Sequence, residues 1–449
     1  MRREIRQRRA ARRTKLIVLD DDPTGAQTLS EVSVLTDWRP DNLQQAFRDP
    51  SDFFYVLTNT RAHSPEEARA IIKDAVASLQ QVAEKTATSF DVVLRADSTL
   101  RGHYPLEVDV LAAAALAPYD AHLLVPAYVE EGRITYHGRH YLRRGAQLVP
   151  VSATEFAKDH MFGYRSSNLR QWVEEKSAGR LAASDCLLIP LEVTRSGPRA
   201  VAERLATAQG NVPVIVDAVS YEDLDVLSLA VLERQAHGQR LLFRTASSFV
   251  KSYSGQPAAS GWIEHLPAPD DIRAHGALVV VGSHVESTTR QLAHALDAVA
   301  LKHVEVDVPG LMSGHRPSAV AEAVRAVNEG LGRGTHVVVS TSRTPIRGQQ
   351  RTETLRIGQE VADALVEIVQ SVEVPPRMVI AKGGITAREI ATRGLSIRRA
   401  RVLGQIASGV SVWVGQPDSR WAGMPLIVFP GNIGDERALG NLLHRIGHD

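Results

Sequence analysis

Short segments rich in Val, Ile and Leu alternate with longer amphipathic segments along almost the whole chain. The short segments are typical of strands buried on both faces, and the long ones of helices that cover a parallel sheet. The strands predicted in the first half are Leu16–Leu19, Val32–Leu35, Phe54–Leu57, Val92–Leu94, Leu123–Val125, Leu187–Ile189, Val214–Val216 and Leu241–Phe243. A second series runs from Leu278 to Phe429. The alternation predicts an α/β fold with two largely parallel sheets flanked by helices.

A segment rich in glycine and proline interrupts this alternation at residues 251–275. A chain of 449 residues is long enough for two domains. We therefore expect an N-terminal domain over residues 14–250, a linker over 251–275 and a C-terminal domain over 276–449. Because open α/β sheets bind ligands beyond the carboxyl ends of their strands, two such domains predict an active-site cleft between them.

Residues 1–15 carry seven Arg and one Lys against one Glu, whereas the whole chain has a net charge of only +1. The remainder of the chain is therefore mildly acidic. A short basic segment on an acidic body is typical of a solvated terminus, so residues 1–13 are predicted to form a disordered basic arm. This pattern disfavours nucleic-acid binding, although a DNA-binding arm is the alternative.

The composition excludes several classes of protein. Hydrophobic residues make up 44% and charged residues 23%, which is ordinary for a globular chain. No apolar run reaches the roughly 18 residues that a bilayer span requires. A single cysteine, Cys186, excludes an internal disulfide and a cysteine-rich zinc site. These features predict a cytoplasmic protein without a membrane anchor.

Charged and hydroxyl-bearing residues follow the predicted strands of the first domain. The first strand leads into Asp20–Asp22, the third is followed by Arg61, and the fourth by Arg95–Gly102. Guanidinium groups hold carboxylates through parallel hydrogen bonds, and serine and threonine hydroxyls suit a polyol. The pattern predicts a site for a small, anionic, hydroxylated ligand. The alternatives are a solvated aspartate-rich turn and internal Arg–Asp pairs that only fasten the loops.

Glycine and hydroxyl residues instead follow the predicted strands of the second domain, at Gly282–Ser283, Ser340–Ser342, Gly383–Thr386 and Pro430–Asp435. Glycine lets backbone N–H groups approach an anion closely, so these turns are predicted to bind phosphate groups. A P-loop is absent, and Gly330–Thr335 does not complete a dinucleotide fingerprint.

These segments, in this order, resemble the four-carbon acid sugar kinase family, and the similarity covers almost the whole chain from Lys15. Asp21–Ala26 resembles the opening D-D-x-T-G-A motif of that family, and Asp97–Gly102 matches its D-S-T-L-R-G motif. The resemblance implies sugar-acid contacts at Asp21, Arg61, Asp97, Ser98, Thr99, Leu100 and Arg101. It implies nucleotide contacts at Ser283, Gly383, Gly384, Thr386, Gly431, Asn432, Ile433 and Gly434.

The predicted activity is therefore the ATP- and Mg²⁺-dependent phosphorylation of a small sugar acid. Either Asp22 or Asp97 would accept the proton of the attacking hydroxyl, and we expect the neighbouring Asp21 to raise the pKa of Asp22 and favour it as the base. The sequence assigns no metal ligand, and a homodimer is compatible with it. The alternatives are a nicotinamide-dependent sugar-acid oxidoreductase and a non-catalytic sugar-acid sensor or nucleic-acid-binding protein.

Overall fold

A computed structural model describes residues 1–26, 28–257, 262–263, 266–267, 272, 275–343, 351–431 and 433–447. The chain divides into two compact units, Met1–Ser260 and Gly261–Asp449, which we call the N-terminal and C-terminal units. The division lies inside the predicted linker 251–275, of which residues 258–261, 264–265, 268–271 and 273–274 lie outside the described part. The linker begins later than predicted, because a helix over Ser247–Tyr253 continues past residue 250. The predicted cleft between the domains stays a prediction.

Eight parallel strands form the main sheet of the N-terminal unit, and three antiparallel strands form a second, small sheet. The strands of the unit are β1 Lys15–Asp20, β2 Val32–Leu35, β3 Phe53–Leu57, β4 Phe90–Arg95, β5 Ala121–Val125, β6 Arg133–Tyr136, β7 Arg139–Arg144, β8 Gln147–Pro150, β9 Leu187–Ile189, β10 Val212–Val216 and β11 Leu241–Thr245. The main sheet has the order β2-β3-β1-β4-β11-β5-β10-β9. Its strands are almost continuously apolar and mostly buried, which confirms the α/β prediction.

Helices connect these strands. They are α1 Arg2–Arg12, α2 Pro40–Arg48, α3 Pro65–Thr86, α4 Leu106–Ala114, α5 Leu169–Lys176, α6 Leu191–Arg195, α7 Pro198–Leu205, α8 Tyr221–Ala236 and α9 Ser247–Tyr253. Local sequence explains where the two longest begin. Ser64 caps α3 in a reciprocal box with Glu67, and Ser220 caps α8 in the same way with Asp223.

The prediction of a disordered arm over residues 1–13 is wrong, because α1 occupies Arg2–Arg12. Ile5 is fully buried, and the Arg9 side chain is buried with its guanidinium 4.9 Å from the ring centre of Tyr253. Arg2 forms an ion pair with Asp225 of α8 at 3.1 Å. Arginine side chains bury their methylene groups readily when their charged ends find partners, so a strongly basic segment can pack as a helix.

The small sheet β6-β7-β8 was not predicted from the sequence. Its first hairpin turns at His137 and Gly138, both of which have positive φ angles. A two-residue turn with two left-handed residues matches the twist of paired antiparallel strands. The hairpin belongs to the connection between β5 and β9.

The C-terminal unit contains β12 Leu278–Val281, β13 Leu301–Val306, β14 His336–Thr341, β15 Val379–Lys382, β16 Arg399–Ala407, β17 Val410–Gly415 and β18 Pro425–Phe429. Their order is β13-β14-β12-β15-β18-β17-β16, with the first five parallel and the last two antiparallel. The helices are α10 Glu286–Ala298, α11 Val308–Met312, α12 Arg316–Gly332, α13 Arg351–Ser371, α14 Gly384–Glu389 and α15 Ala438–Gly447. Among the described residues, every helix is too short or too polar to cross a bilayer.

Candidate functional site

The carboxyl end of β1 lies at a topological switch point of the N-terminal sheet. Strands β3 and β4 flank β1 on opposite sides, and ligands of open α/β folds bind at such a point. Asp20, the last residue of β1, is the register partner of Arg95 at the end of β4. Arg95 Nη1 lies 3.2 Å from Asp20 Oδ1 and 3.3 Å from Asp21 Oδ1. The aspartate-rich turn is therefore buried and paired, and it is not a solvated loop.

Arg61 joins the aspartates of β1 to the loop that follows β4. It lies in a 3₁₀ turn, Thr60–Ala62, directly after β3. Its guanidinium forms an ion pair with Asp22 and another with Asp97, the latter at 3.2 Å. It also lies 3.9 Å from Asp21. The structure thus brings together four residues that the sequence analysis singled out from three separate segments.

The loop Asp97–Gly102 is held by its own side chains. Asp97 accepts hydrogen bonds from Thr99 Oγ1 and from Arg101 Nε, the latter at 2.8 Å. Leu100 has a positive φ of 70° and a side chain that is 1% exposed in the hydrophobic core. Leu100 can therefore offer a ligand only its backbone, whereas the Arg101 side chain is one-quarter exposed.

Three residues that contact this loop were missed by the sequence analysis. Arg133 Nη1 donates to Ser98 Oγ at 2.6 Å, and His140 Nε2 lies 2.8 Å from the Ser98 carbonyl oxygen. Both come from the unpredicted hairpin. Tyr164 Oη donates to the Thr99 carbonyl oxygen at 2.7 Å. These contacts hold the hydroxyl-bearing part of the loop in place.

Asp21 has one carboxylate oxygen, Oδ2, that is buried and has no hydrogen-bond partner among the described residues. Gly102 lies against this oxygen with φ at +114°, and a Cβ there would be 3.3 Å from Asp21 Oδ2 and 3.4 Å from Arg244 Nη2. Glu107 is buried nearby and accepts a hydrogen bond from Thr60 Oγ1 at 2.5 Å. Burial raises the pKa of Glu107 to about 7. Arg244 and Glu107 extend the predicted site with one further cation and one further acid.

The four aspartates of the site differ in proton affinity. Burial raises the pKa of Asp20 to about 8 and also raises that of Asp21. Burial acts in the same direction on Asp22 and Asp97, but nearby guanidinium groups outweigh it and lower both pKa values. The expectation that Asp21 would raise the pKa of Asp22 is therefore wrong, because Arg61 lies against the Asp22 carboxylate.

In the C-terminal unit, the glycine turns converge on Ser283 after β12. A Cβ at Gly383 would lie 2.9 Å from Ser283 Cβ, and one at Gly431 would lie 2.9 Å from Ser283 Oγ. Gly383 also has φ at +112°. A Cβ at Gly282 would collide with the Thr386 hydroxyl. Only glycine allows these three strand ends to approach one another so closely.

Helix α10 holds the turn after β18. Thr288 Oγ1 donates to the Gly431 carbonyl oxygen at 2.9 Å. The side-chain amide of Gln291 donates, at 2.8–3.1 Å, to the carbonyl oxygens of Ile433, Gly434 and Asp435. Helix α10 therefore holds the described residues on both sides of position 432. Asn432, another predicted nucleotide contact, lies outside the described residues.

A buried cation that the sequence analysis missed lies beside these turns. Lys382 ends β15 and is the register partner of Phe429 on β18. Its Nζ donates to the Pro430 carbonyl oxygen at 2.6 Å and lies 3.7 Å from the Phe429 ring centre. Lys382 has no ion pair with any described residue, and burial lowers its pKa to about 7. A lysine at a strand end gives no sign in the sequence that it is buried.

Comparison with known families assigns a description to each unit. A sugar-binding N-terminal domain matches residues 16–253, and a nucleotide-binding C-terminal domain matches residues 278–439. The first match alone spans more than half of the chain.

Three characterised relatives align with most of the chain. The chain is 30% identical to a 3-oxo-tetronate kinase of Methylobacterium radiotolerans over 367 residues, which cover 79% of this chain and 80% of that protein. It is 27% identical to a D-threonate kinase of Salmonella typhimurium, covering 73% and 72% respectively. It is also 27% identical to a D-erythronate kinase of Heliobacterium modesticaldum, covering 69% and 67%.

Solved structures share the fold. A protein of Salmonella typhimurium LT2 aligns with 96% of this chain and 98% of its own length, at a TM-score of 0.72 and 19% identity. A Haemophilus influenzae protein aligns with 95% of this chain and 99% of its own, at a TM-score of 0.65 and 17% identity. At these identities the likeness concerns the fold alone.

Proposed function

The chain belongs to the four-carbon acid sugar kinase family, and from that premise we propose that it transfers a phosphoryl group from ATP to a hydroxyl of a small sugar acid. The N-terminal unit would bind the acid, and the C-terminal unit would bind the nucleotide. The names of three related kinases support the sugar-acid class. The observation that carries the proposal is the cluster of Arg61, Arg101, Asp22 and Asp97 at the strand ends of the unit that matches a sugar-binding domain.

The carboxylate of the acid would be held by Arg61 and Arg101. Both guanidinium groups are partly exposed, and both are now paired with aspartates, so an incoming carboxylate would exchange with Asp22 or Asp97. Charge-assisted bonds of this kind are about twice as strong as neutral ones. Ser98 and Thr99 are buried, so their hydroxyls would bind the polyol part of the acid only by exchanging the bonds that they now make to Arg133 and Asp97. Asp21 Oδ2, which has no hydrogen-bond partner among the described residues, would accept a hydrogen bond from a substrate hydroxyl.

Asp22 is our choice for the base that accepts the proton of the attacking hydroxyl. Its side chain is 20% exposed, whereas that of Asp97 is 9% exposed and is held by Arg61, Arg101 and Thr99. When the substrate carboxylate draws Arg61 away, the pKa of Asp22 would rise, because its main cationic partner is shared. A carboxylate with a higher pKa is a better general base.

The turns around Ser283 would bind the phosphate groups through backbone N–H groups, since a side chain at Gly383 or Gly431 would fill the space. Among the described residues, no group of three acidic, histidine or cysteine side chains is arranged to hold a metal ion. A Mg²⁺ ion that arrives with ATP would keep its water and phosphate ligands. Such an ion would neutralise charge on the transferred phosphoryl group.

An ADP-release assay tests the proposal. Purified protein is incubated with ATP and Mg²⁺ and with a panel that includes D-erythronate, D-threonate and 3-oxo-tetronates. We expect ADP release only when one of these acids is present, and we expect EDTA to abolish it. A panel that yields no ADP, together with tight binding of NAD⁺ or NADP⁺ by calorimetry, would replace the kinase with the oxidoreductase.

A further inference from the structure

Arg343 is a cation beside the glycine turns that neither the motifs nor the relatives assign. It follows β14 in the C-terminal unit. Both hydrogen atoms of its Nη2 have acceptors, the Ser283 carbonyl oxygen at 2.8 Å and Thr289 Oγ1 at 2.7 Å. The guanidinium is thereby attached to the serine on which the turns of Gly383 and Gly431 converge.

The other two nitrogens of this guanidinium have no hydrogen-bond partner among the described residues. Nε and Nη1 are both buried, so three N–H groups with a share of the positive charge are unsatisfied within that part of the chain. Arg343 forms no ion pair with a described residue. The acidic group that acts on its pKa is Glu305 of β13, which is exposed. Buried donors of charged groups are normally matched, so an unmatched set indicates a missing anionic partner.

We propose that Arg343 binds a phosphate group of the nucleotide through Nε and Nη1. This inference rests on the proposed function, which places ATP in the C-terminal unit. Phosphate oxygens suit a guanidinium because they accept several charge-assisted hydrogen bonds. The contacts of Nη2 with Ser283 and Thr289 fix the plane of the group in advance, so little side-chain entropy is lost on binding.

Equilibrium binding to the full-length protein tests the assignment. The probes are ATP, ADP, inorganic triphosphate and adenosine, and the variants are Arg343→Gln, Arg343→Lys and the control Arg325→Gln on the exposed face of α12. We expect Arg343→Gln to raise the Kd of ATP, ADP and triphosphate roughly 10- to 100-fold, as loss of charge-assisted hydrogen bonds does. The Kd of adenosine should change less than about twofold, Arg343→Lys should fall between, and the control should match the wild type.

The outcomes separate this inference from the kinase proposal. If the wild type binds ATP and Arg343→Gln binds it equally well, the inference is overturned and the kinase stands. If the variant loses adenosine as strongly as ATP, Arg343 has only a structural role, and the inference is again overturned. If the wild type binds triphosphate in an Arg343-dependent way but neither ATP nor ADP, the phosphate site stands and the kinase proposal fails.

Discussion

The two units treat buried charge in opposite ways at the carboxyl ends of their strands. In the N-terminal unit, Asp20–Asp22 and Asp97 are matched by guanidinium groups within the same unit. In the C-terminal unit, Lys382 and Arg343 are buried or half-buried cations without an ion-paired carboxylate among the described residues.

Under the proposed function, this difference predicts how each unit binds its ligand. Because the N-terminal unit supplies its own counter-ions, a carboxylate ligand would exchange with an internal partner and would gain only the difference between two ion pairs. Because Lys382 and Arg343 have no ion-paired carboxylate among the described residues, a polyphosphate would supply the missing partner and gain the larger part of the interaction.

The largest effect is expected from neutralising the carboxylate that we assign as the base. Asp22→Asn should lower kcat by about 10²–10⁴-fold, because general-base catalysis is typically of that size. The Kd of ATP should not change, since Asp22 lies in the other unit. Steady-state kinetics at saturating ATP and acid measure this, with the exposed Asp185→Asn as the control. A normal kcat in Asp22→Asn with a collapsed kcat in Asp97→Asn would make Asp97 the base.

Removing the guanidinium of Arg61 should leave buried aspartates of the N-terminal unit without an ion pair. Arg61→Met leaves Asp22 and Asp97 without their common partner, so the free energy of unfolding should fall by about 3–5 kcal/mol. Arg39→Met removes a surface pair with Asp37 and should cost less than about 1 kcal/mol. Urea unfolding of both variants measures the difference. Equal losses would show that the network around Arg61 behaves like a surface pair.

In the C-terminal unit, added side-chain volume at the glycine turns should lower stability, in contrast to the N-terminal unit, in which the loss of a charge should lower it. Gly383→Ala places a Cβ against Ser283 at a φ of +112°, which should cost about 1–3 kcal/mol and weaken ATP binding. Gly332→Ala is the matched control, because nothing lies within 4 Å of its Cβ, and its stability should hold or rise. Thermal unfolding and ATP titration test both. Unaltered ATP binding in Gly383→Ala would remove that turn from the phosphate site.

Two buried groups are expected to give opposite dependences of stability on pH, each with a small effect per pH unit. The pKa of Glu107 rises from its ordinary value of 4.5 to about 7 on folding, so the folded chain holds an extra proton between these values. Its contribution to stability is present below pH 4.5 and is lost as the pH approaches 7, at up to about 1.4 kcal/mol per pH unit. The free energy of unfolding of Glu107→Gln should therefore decline less than that of the wild type between pH 5 and 7.

Lys382 should give the opposite pH dependence of the free energy of unfolding. Its pKa falls from 10.5 to about 7 on folding, so the unfolded chain holds the extra proton between these values. Its contribution to the free energy of unfolding therefore increases as the pH rises above 7. The slope of that free energy against pH is again at most about 1.4 kcal/mol per pH unit. Lys382→Met should lack this rise between pH 7 and 9. If both variants follow the wild type across their ranges, the two buried groups do not titrate as described.

Much of the fold could be predicted from local pattern. Strands β2 and β9 lie at the predicted residues, because apolar segments between turn residues are defined within a few neighbours. Helix α1 could not be predicted in this way. The burial of Ile5 and Arg9 depends on α8 and α9, which are more than 200 residues away in the chain.

The candidate site was predictable in part. The proximity of Asp21, Arg61 and Asp97 could be predicted because they follow strands, and parallel strands place such residues together. Their role as substrate contacts stays a prediction. Arg133 and His140 were not predicted as site residues, because the sequence gives no sign that their hairpin reaches Ser98. The direction of the Asp22 pKa shift was predicted wrongly, because it depends on the nearby Arg61 guanidinium more than on the adjacent Asp21.

The sequence by itself determined the α/β class, the division into two units and the segments that carry polar chemistry, because hydrophobic period and turn composition are local properties. Tertiary structure alone decided which charges are compensated. Arg61 contacts Asp22 and Asp97 because β3, β1 and β4 lie side by side. Lys382 lies across from Phe429 and has no ion-paired carboxylate in the part of the chain that the structure describes. Electrostatic energy depends on the distance and burial of groups far apart in the chain, and the order of residues does not state either quantity.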